Sequence, residues 1–373
     1  MKDPRLDILA DYLLNKSLEL TRGQGFRLVS GHSANPLNKA ILRSAARNGL
    51  YPDVKLRDDE LTRLYFSCFD GSDVGCFDKY LDDQIASEYK RWEKLDGYVV
   101  IGIDDNDSEL ASIDPAVLKH VRSKQHDLNE YEINQKKWVF LYWPTMADAQ
   151  KAGMSYDDFY EFFIRSAIVD YDEMKRSIQP LVNKMKQTDY VRLVGPGTDI
   201  SFSIKDQAVI PCTGACNIPD GEVYTAPVRE SANGVVQYNT VFLYLGKKYI
   251  NPRLVFKNGK IIEASCDNDT DGLNILLDLD EGARYLGEFA IGVNNAITKS
   301  IGNTLYDEKI GGSFHLTPGS CYDDCPNGNK SQVHLDMVCI QKEEYGGGEI
   351  WFDGQIIRKN GLFVTEELNG LNE

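Results

Sequence analysis

The sequence predicts a two-part chain: an α/β N-terminal domain with parallel strands, followed by a β-rich α+β C-terminal domain. Two stretches of the first part, residues 98–103 and 138–143, are apolar on both faces, which is typical of buried parallel strands. Helical and strand patterns alternate around them, whereas alternating strands and tight-turn dipeptides dominate later in the chain. A chain of 373 residues is long enough for two domains, and we place them at residues 1–187 and 188–373.

The first helices and strands follow one another as they do in a parallel sheet. Residues 6–20 have helical periodicity, and residues 25–31 predict a short strand. Residues 38–48 predict a helix, and Gly49 stands where glycine commonly follows a helix end. Residues 52–56 predict the next strand. A strand–helix–strand order of this kind predicts a parallel βαβ unit.

A long helix closes the predicted first domain, and hairpins build the second. Ser155 and Asp158 have the spacing of a capping box, which predicts a helix through Phe159, Phe162, Phe163 and Ile168 and onward. Residues 191–194 and 200–204 alternate in polarity around a Gly-Pro-Gly-Thr-Asp segment and predict a β-hairpin. Three more tight turns are predicted between apolar runs, at Asn258-Gly259, Asp353-Gly354 and Asn360-Gly361.

The charge of the chain narrows its range of ligands. The sequence has 41 basic and 57 acidic residues, which give a formal charge of −16 at pH 7. An acidic surface opposes non-specific binding to nucleic acid or anionic membranes, so we expect neither as a partner. It suits metal ions and the free ammonium group of a peptide, although solubility alone would also account for it.

The N-terminal segment and the cysteines fit a reducing, cytoplasmic location. Acidic residues interrupt the N-terminal segment, so it lacks the apolar core of a signal peptide. No run approaches the roughly 18 apolar residues that span a bilayer. The eight cysteines form no C-x-x-C pair, and reduced thiols are the default. A structural zinc site is the alternative for four of them: Cys212, Cys216, Cys321 and Cys325.

Several common catalytic motifs are absent from the sequence. It contains no G-x-x-x-x-G-K-[ST], no G-x-S-x-G, no H-E-x-x-H and no G-x-G-x-x-G after a strand. These absences argue against a P-loop NTPase, an α/β-hydrolase, a zincin and a dinucleotide-dependent enzyme.

The sharpest local feature is the tripeptide His334-Leu-Asp336. Residues i and i+2 of a strand point to the same face, so the imidazole and the carboxylate would lie side by side and suit a divalent metal. His315 lies in Gly-Gly-Ser-Phe-His-Leu-Thr-Pro-Gly, where the flanking glycines indicate close approach of backbone or ligand. Taken singly, each of these residues also fits a structural role.

Two glutamates are further candidates for binding a metal ion. Glu222 follows a Pro-Asp-Gly turn at the start of a short β-like run, where a solvated loop-end carboxylate is the alternative. Glu288 lies in Leu-Gly-Glu-Phe-Ala-Ile-Gly. A carboxylate in so apolar a run costs free energy to bury unless it is paired or bound to a metal.

A different site is conceivable in the α/β half of the chain. Asp104, Asp105 and Asp107 follow the apolar strand at 98–103, and ligands of α/β sheets bind beyond the carboxyl ends of strands. A binding module built on this half would place its ligand near these residues. An ordinary polar loop is the alternative.

Four ordered blocks of the sequence resemble one known family. These blocks are P-D-G-E-V-Y-T-A-P, L-G-E-F-A-I-G, G-G-S-F-H-L-T-P-G with the tyrosine that follows, and H-L-D-M-V. In this order they resemble the thermophilic aminopeptidases of the T and S type, over nearly the whole chain. The resemblance implies an α/β domain followed by a β-rich domain that carries a metal site.

Carried over block by block, the resemblance implies which residues bind metal. The ligands would be Glu222, Glu288, His315, Tyr322, His334 and Asp336. Glu288 would bridge two ions, and Glu308 would be an additional carboxylate of the site. Glu222, Glu288 and Tyr322 would also take part in catalysis, while the general base remains open between Glu222 and Glu308.

The implied function is that of a metallo-aminopeptidase. Two divalent ions (zinc, cobalt, manganese or magnesium) would activate a water that releases N-terminal residues from short peptides with a free amine. The resemblance also implies a homodimer. The alternatives are another metal-dependent amide hydrolase using the same site, and a metal-binding protein without catalytic activity.

Overall fold

The structure, a computed structural model, describes residues 3–106 and 108–373, so Asp107 lies outside the described residues. Contacts within the chain divide it into two compact units. The first unit extends to Ile168 and includes Ala215–Ile218, and the second contains Val169–Gly214 and Pro219–Glu373. The domain boundary expected at residue 187 stays a prediction.

Helices and strands alternate in the first part of the chain, and strands dominate the second. In chain order, the elements of the first part are α1 (Arg5–Tyr12), β1 (Gly25–Gly31), α2 (Asn35–Asn48), β2 (Tyr51–Arg57), α3 (Asp59–Phe66), α4 (Asp78–Trp92), β3 (Gly97–Gly102), α5 (Pro115–Gln135), β4 (Lys137–Tyr142), α6 (Met146–Lys151) and α7 (Tyr156–Ala167). They are followed by α8 (Tyr171–Ser177), α9 (Gln179–Gln187), β5 (Tyr190–Gly195), β6 (Thr198–Ser203), β7 (Val209–Cys212), β8 (Asn217–Ile218), β9 (Glu222–Thr225), β10 (Asn233–Gln237), β11 (Val241–Tyr244), β12 (Lys247–Ile250), β13 (Arg253–Lys257) and β14 (Lys260–Ser265). The last elements are α10 (Thr270–Leu277), β15 (Leu286–Gly292), α11 (Thr304–Asp307), β16 (Ser313–Pro318), β17 (Met337–Ile340), β18 (Glu349–Phe352), β19 (Gln355–Lys359) and β20 (Leu362–Phe363).

The first unit contains the predicted parallel sheet. Its strand order is β2-β1-β3-β4-β8, and every neighbouring pair is parallel. Each residue of β1 is buried, as expected for a central strand covered on both faces. Gly49 has a φ of 67° and follows α2 in the left-handed conformation that favours glycine. The α/β prediction for this part of the chain is confirmed.

Two predicted helices differ from those in the structure. The helix expected at residues 6–20 ends at Tyr12 and continues only as a π-helical turn to Ser17. The long helix expected to run past Ile168 is wrong, because α7 ends at Ala167. The Asp170 carboxylate accepts a hydrogen bond of 2.8 Å from the Glu173 N–H and so begins a new helix, α8.

The second unit is built mainly from antiparallel strands. One sheet has the order β14-β13-β10-β6-β5-β18-β19-β20, another has the order β17-β16-β15-β9-β7, and β11 and β12 form a separate pair. The predicted hairpin is present as β5 and β6, which pair antiparallel. All three predicted tight turns connect neighbouring strands, and Asn258 and Gly259, for example, have φ values of 49° and 80°. The prediction of a β-rich second part is confirmed.

The five-stranded sheet of this unit has one apolar face and one polar face. Phe289 on β15 packs against Phe202 on β6 of the larger sheet, with ring centroids 5.0 Å apart. Phe314, Leu316 and Met337 belong to the same buried cluster. Because side chains alternate along a strand, the intervening residues of β15 and β16 point to the opposite face. The predicted metal ligands lie on that face. Among the described residues, no helix is both long and apolar enough to cross a membrane.

Candidate metal centre

The register of three strands brings the predicted ligands to one face of the five-stranded sheet. Glu222 at the start of β9 lies opposite Gly292 of β15, and His315 of β16 lies opposite Ala290 of β15. Glu288 is two residues before Ala290 and therefore shares its face. Glycine is required at 292, since a Cβ there would lie 2.4 Å from the backbone oxygen of Ile310. The small residues opposite the ligands thus leave room for the segment that follows α11.

Glu288 lies at the middle of the cluster, in contact with both histidines. Its Oε1 lies 3.3 Å from Nε2 of His315, and its Oε2 lies 3.0 Å from Nε2 of His334. The side chain of Glu288 is 3% exposed. The pairing of β15 with β16 is irregular between Leu286 and Glu288, and such bulges commonly redirect a side chain beside a functional site.

His334 and Asp336 lie side by side, as the sequence pattern predicts, although both precede β17. Nε2 of His334 lies 3.1 Å from Oδ1 of Asp336. Nδ1 of His334 lies 2.7 Å from the carbonyl oxygen of Ser320. A carbonyl can only accept, so Nδ1 carries a hydrogen. Burial opposes a charge on the ring, but Asp336 and Glu288 raise the pKa of His334, so a bound metal ion would displace the proton on Nε2. The Thr317 hydroxyl donates a 2.7 Å hydrogen bond to Asp336 Oδ1 and orients that carboxylate.

A buried lysine holds the acidic groups on the other side of the cluster. Nζ of Lys309 lies 2.5 Å from Glu222 Oε1, 2.8 Å from Glu308 Oε1 and 3.8 Å from Asp220 Oδ1. Asp220 also accepts hydrogen bonds from the backbone N–H groups of Gly214 and Gly221. The side chain of Lys309 is 2% exposed, so its charge acts at low dielectric.

The cluster holds more acidic groups than bases, and their pKa values reflect this. Burial raises the pKa of Glu222, and burial together with repulsion from Glu222 and Asp336 raises the pKa of Glu308 to about 8. Burial would also raise the pKa of Glu288, but its contacts with His315 and His334 lower it. Burial opposes the charge of His315, yet Glu288 and Glu222 raise its pKa to about 9. The metal-free cluster therefore retains protons that a bound cation would displace.

The donor atoms fit divalent metal ions. Within the described part of the chain, three groups of side chains have ligand atoms within 4.8 Å of one another: Glu222, Glu288 and His315; Glu288, His334 and Asp336; and Glu308, His315 and Asp336. Glu222 Oε2 and His334 Nε2 are buried and have no hydrogen-bond partner among the described residues. Buried ligand atoms that lack a hydrogen-bond partner could be satisfied by binding a metal ion. Nε2 of His334 is close to two carboxylates, but its direction fits a hydrogen bond to neither.

Tyr322 lies at the edge of the same cluster. Its ring centroid is 4.6 Å from that of His334 and 5.5 Å from that of Tyr224. The residue is 47% exposed, unlike the carboxylates beneath it. Tyr224 is itself fixed by hydrogen bonds of 2.8 and 2.9 Å from its hydroxyl to Asp324. Tyr322 therefore lies where an incoming molecule would meet the cluster.

The other candidate residues are not part of the cluster in the described chain. Asp104 and Asp105 belong to the first unit, and Asp107 lies outside the described residues. None of the three metal-competent groups in the described chain contains a cysteine. The four cysteines of the alternative zinc site thus receive no support from the geometry.

Two residues of the cluster were missed by the sequence analysis. Lys309 follows Glu308 in a charged stretch that is typical of a surface helix, and nothing local indicates that it is buried. Asp220 belongs to the Pro-Asp-Gly turn, whose pattern predicts a turn and no more. The run that follows this turn, Glu222–Thr225, is buried throughout, so the turn lies against the interior.

Comparison with known proteins connects this centre to a described family. A family model described as thermophilic metalloprotease (M29) matches residues 2–363 of the chain. Aminopeptidase AmpS of Bacillus subtilis (strain 168) is 23% identical over 379 residues, covering 90% of this chain and 88% of the relative. Aminopeptidase 2 of Geobacillus stearothermophilus is 25% identical over 395 residues, covering 90% of this chain and 92% of the relative.

One solved structure has the same fold over nearly the full length. Wild-type AmpT from Thermus thermophilus matches with a TM-score of 0.81 at 21% sequence identity, covering 97% of this chain and 99% of that chain. The match confirms the combination of a parallel α/β part with an antiparallel β-rich part.

Proposed function

The chain belongs to the thermophilic metalloprotease (M29) family, and on this basis we propose that it is a metal-dependent aminopeptidase that releases N-terminal residues from short peptides. The observation that carries the proposal is the position of Glu288, whose two carboxylate oxygens face His315 and His334 respectively. A carboxylate that faces two sets of ligand atoms suits a pair of metal ions about 3.5–4 Å apart.

We assign the ligands from these contacts. Glu222 and His315 would hold one ion, His334 and Asp336 the other, and Glu288 would bridge them. When bound, the ions would polarise the scissile carbonyl and lower the pKa of a water molecule towards about 7. Zinc, cobalt, manganese and magnesium are the candidate metals.

The residues of the chain have further roles in this proposal. The carboxylate of Glu308 would take a proton from the attacking water and pass it to the leaving amine, because Glu222 is assigned to a metal ion in this proposal and Glu308 is not. The Tyr322 hydroxyl would contact the ion at His334 or donate a hydrogen bond to the carbonyl oxygen as negative charge develops there. The acidic groups of the cluster would hold the ammonium group of the substrate.

Three features extend the proposal beyond the site. The substrates would be short peptides with a free N-terminus, the assembly would be a homodimer, and the location would be the cytoplasm. The family resemblance supports the substrates and the homodimer, the charge of −16 suits a cationic substrate, and the eight free cysteines suit the cytoplasm.

The test compares blocked with free substrates before and after metal removal. Treatment with a chelator should abolish hydrolysis of aminoacyl arylamides, and zinc, cobalt, manganese or magnesium should restore it. N-acetylated versions of the same arylamides should not be cleaved. Equal cleavage of blocked and free substrates would indicate a different amide hydrolase, whereas metal binding without turnover would indicate a non-catalytic metal protein.

One variant pair locates the activity. His334→Ala should lose at least about 10³-fold in kcat/KM, since it removes a ligand that no neighbouring side chain can replace. His126→Ala changes an exposed histidine on α5 and should retain full activity. Full activity in the His334 variant would overturn the assignment.

A further inference from the structure

A cavity lies at the carboxyl ends of the parallel strands in the first unit, whereas the residues of the metal centre belong to the second unit. Its volume is about 570 Å³, within the range of small-molecule sites. It is lined by residues at or beyond the ends of β1, β2, β3 and β4. The strand β1 lies between β2 and β3 in the sheet. The connection after β1 leads to β2 on one side, and the connection after β2 leads to β3 on the other side. Open α/β sheets bind their ligands at such a switch point.

One wall of the cavity is aromatic and is kept open by glycine. Phe140 and Tyr142 line it, with ring centroids 4.8 Å apart and planes at 83°. A Cβ at Gly102 would lie 2.7 Å from the Tyr142 ring and 3.1 Å from the Phe140 ring. A Cβ at Gly31 would likewise lie 2.7 Å from the side chain of Ile103. Larger residues at the two glycines would displace the side chains that shape the cavity.

The rim of the cavity is strongly acidic. Among the described residues, six carboxylates and one arginine, Arg57, line it; the carboxylates are Asp58, Asp59, Glu60, Asp104, Asp105 and Glu109. Glu109 is already paired with Arg63, at 2.7 Å, which leaves five carboxylates against Arg57. Burial, together with repulsion from Asp105, Asp58 and Glu109, raises the pKa of Asp59. A positive charge in the cavity would relieve that repulsion.

The N-terminus of the helix that follows β2 is already capped by a carboxylate. Asp58 begins α3 and accepts a 2.9 Å hydrogen bond from the Leu61 N–H with its own side chain. With the helix terminus capped and further acidic groups around it, an anionic ligand would meet repulsion.

A buried asparagine supports the end of β1 that lines the cavity. Asn38 is 5% exposed and donates a 3.1 Å hydrogen bond to the carbonyl oxygen of Gly31, a lining residue. Its own Oδ1 has no hydrogen-bond partner in the described part of the chain. Ser30, which is 1% exposed, lines the cavity beside it.

We propose that this cavity binds a small organic cation, a primary ammonium carried on an apolar or aromatic group. The ammonium would lie among the carboxylates of the rim, and the apolar part would pack against Phe140 and Tyr142. Carboxylates and aromatic faces both attract ammonium groups, and the size of the cavity exceeds what a bare metal ion needs. The inference does not depend on the function proposed for the metal centre.

Calorimetric titration with three matched probes tests the proposal. Phenethylamine, 2-phenylethanol and phenylacetate share one ring and differ in charge. We expect phenethylamine to bind at least about tenfold more tightly than the alcohol and phenylacetate not to bind. Chelator-treated protein should bind phenethylamine as untreated protein does, which separates this site from the metal centre. Equal binding of amine and alcohol, no saturable binding of any probe, or tighter binding of inorganic phosphate would overturn the proposal.

Variants locate the binding. Asp59→Asn combined with Asp105→Asn should weaken phenethylamine binding about tenfold, while Asp83→Asn, an exposed change on α4, should leave it unchanged. If the double variant fails to fold, Glu60→Gln serves instead, with a loss of about threefold. Unchanged binding in a folded cavity variant would overturn the proposal.

Discussion

Nζ of Lys309 lies 2.5 Å from Oε1 of Glu222 inside a cluster of proposed metal ligands, and both side chains are buried. The lysine supplies a fixed positive charge to the carboxylates around it. This relationship explains how so many acidic groups can be buried together before any metal binds.

Replacing Lys309 with methionine should destabilise the protein. The variant keeps the length of the side chain but leaves Asp220, Glu222 and Glu308 without their shared partner. We expect a loss of about 3–5 kcal/mol in the free energy of unfolding, measured by urea denaturation of the metal-free protein. Lys330→Met removes an exposed lysine and is the control. Equal stability of both variants would show that Lys309 does not compensate the cluster.

The hydroxyl of Thr317 should support metal binding by orienting Asp336. Thr317→Val removes the 2.7 Å hydrogen bond to Asp336 but keeps the shape of the side chain. Loss of such a supporting hydrogen bond typically weakens metal affinity by about 10–100-fold, and we expect a loss in that range by competition with a chelator. Thr317→Ser retains the hydroxyl and should bind metal nearly as the natural protein does. If serine and valine variants bind equally, the hydrogen bond has no such role.

Thiol labelling should distinguish the buried cysteines from the exposed ones. Burial raises the pKa of Cys325 to about 11 and that of Cys339 to about 12, so both are protonated at pH 8. The exposed Cys68 and Cys76 should react with iodoacetamide at least about 100-fold faster, because the thiolate is the nucleophile.

The labelling rate of Cys325 should rise with pH. Below its pKa, the thiolate fraction of Cys325 rises about tenfold per pH unit, and its labelling rate should rise likewise between pH 8 and 10. Peptide mass spectrometry after timed quenching measures each site. Similar rates at Cys68 and Cys325 at pH 8 would contradict the described burial.

Much of the fold can be predicted from the sequence, because the alternation of strands and the residues of tight turns are local patterns. Asn258-Gly259 requires positive φ at two successive residues, and it adopts 49° and 80° between β13 and β14. Helix ends are less predictable. The break between α7 and α8 depends on the Asp170 side chain competing for backbone donors, which hydrophobic periodicity does not reveal.

Some residues of the candidate site can likewise be predicted from local sequence, and others cannot. His334 and Asp336 are two residues apart, and Glu288 lies in an apolar run, so their patterns can be read locally. The partnership of Lys309 with Glu222 spans 87 residues and depends on how α11 meets β9, which no local pattern encodes. Convergence of Glu222, Glu288, His315, His334 and Asp336 on one sheet face required the strand register.

Metal content of the Glu288→Gln variant tests the central assignment most directly. The change keeps the shape of the side chain and removes the charge that both donor groups share. Mass spectrometry of metal-saturated, desalted protein should find two ions per chain in the natural protein and in Glu263→Gln, an exposed control on β14. It should find fewer than one in Glu288→Gln, with loss of arylamide hydrolysis. Two tightly bound ions in Glu288→Gln would contradict a shared, bridging role for Glu288.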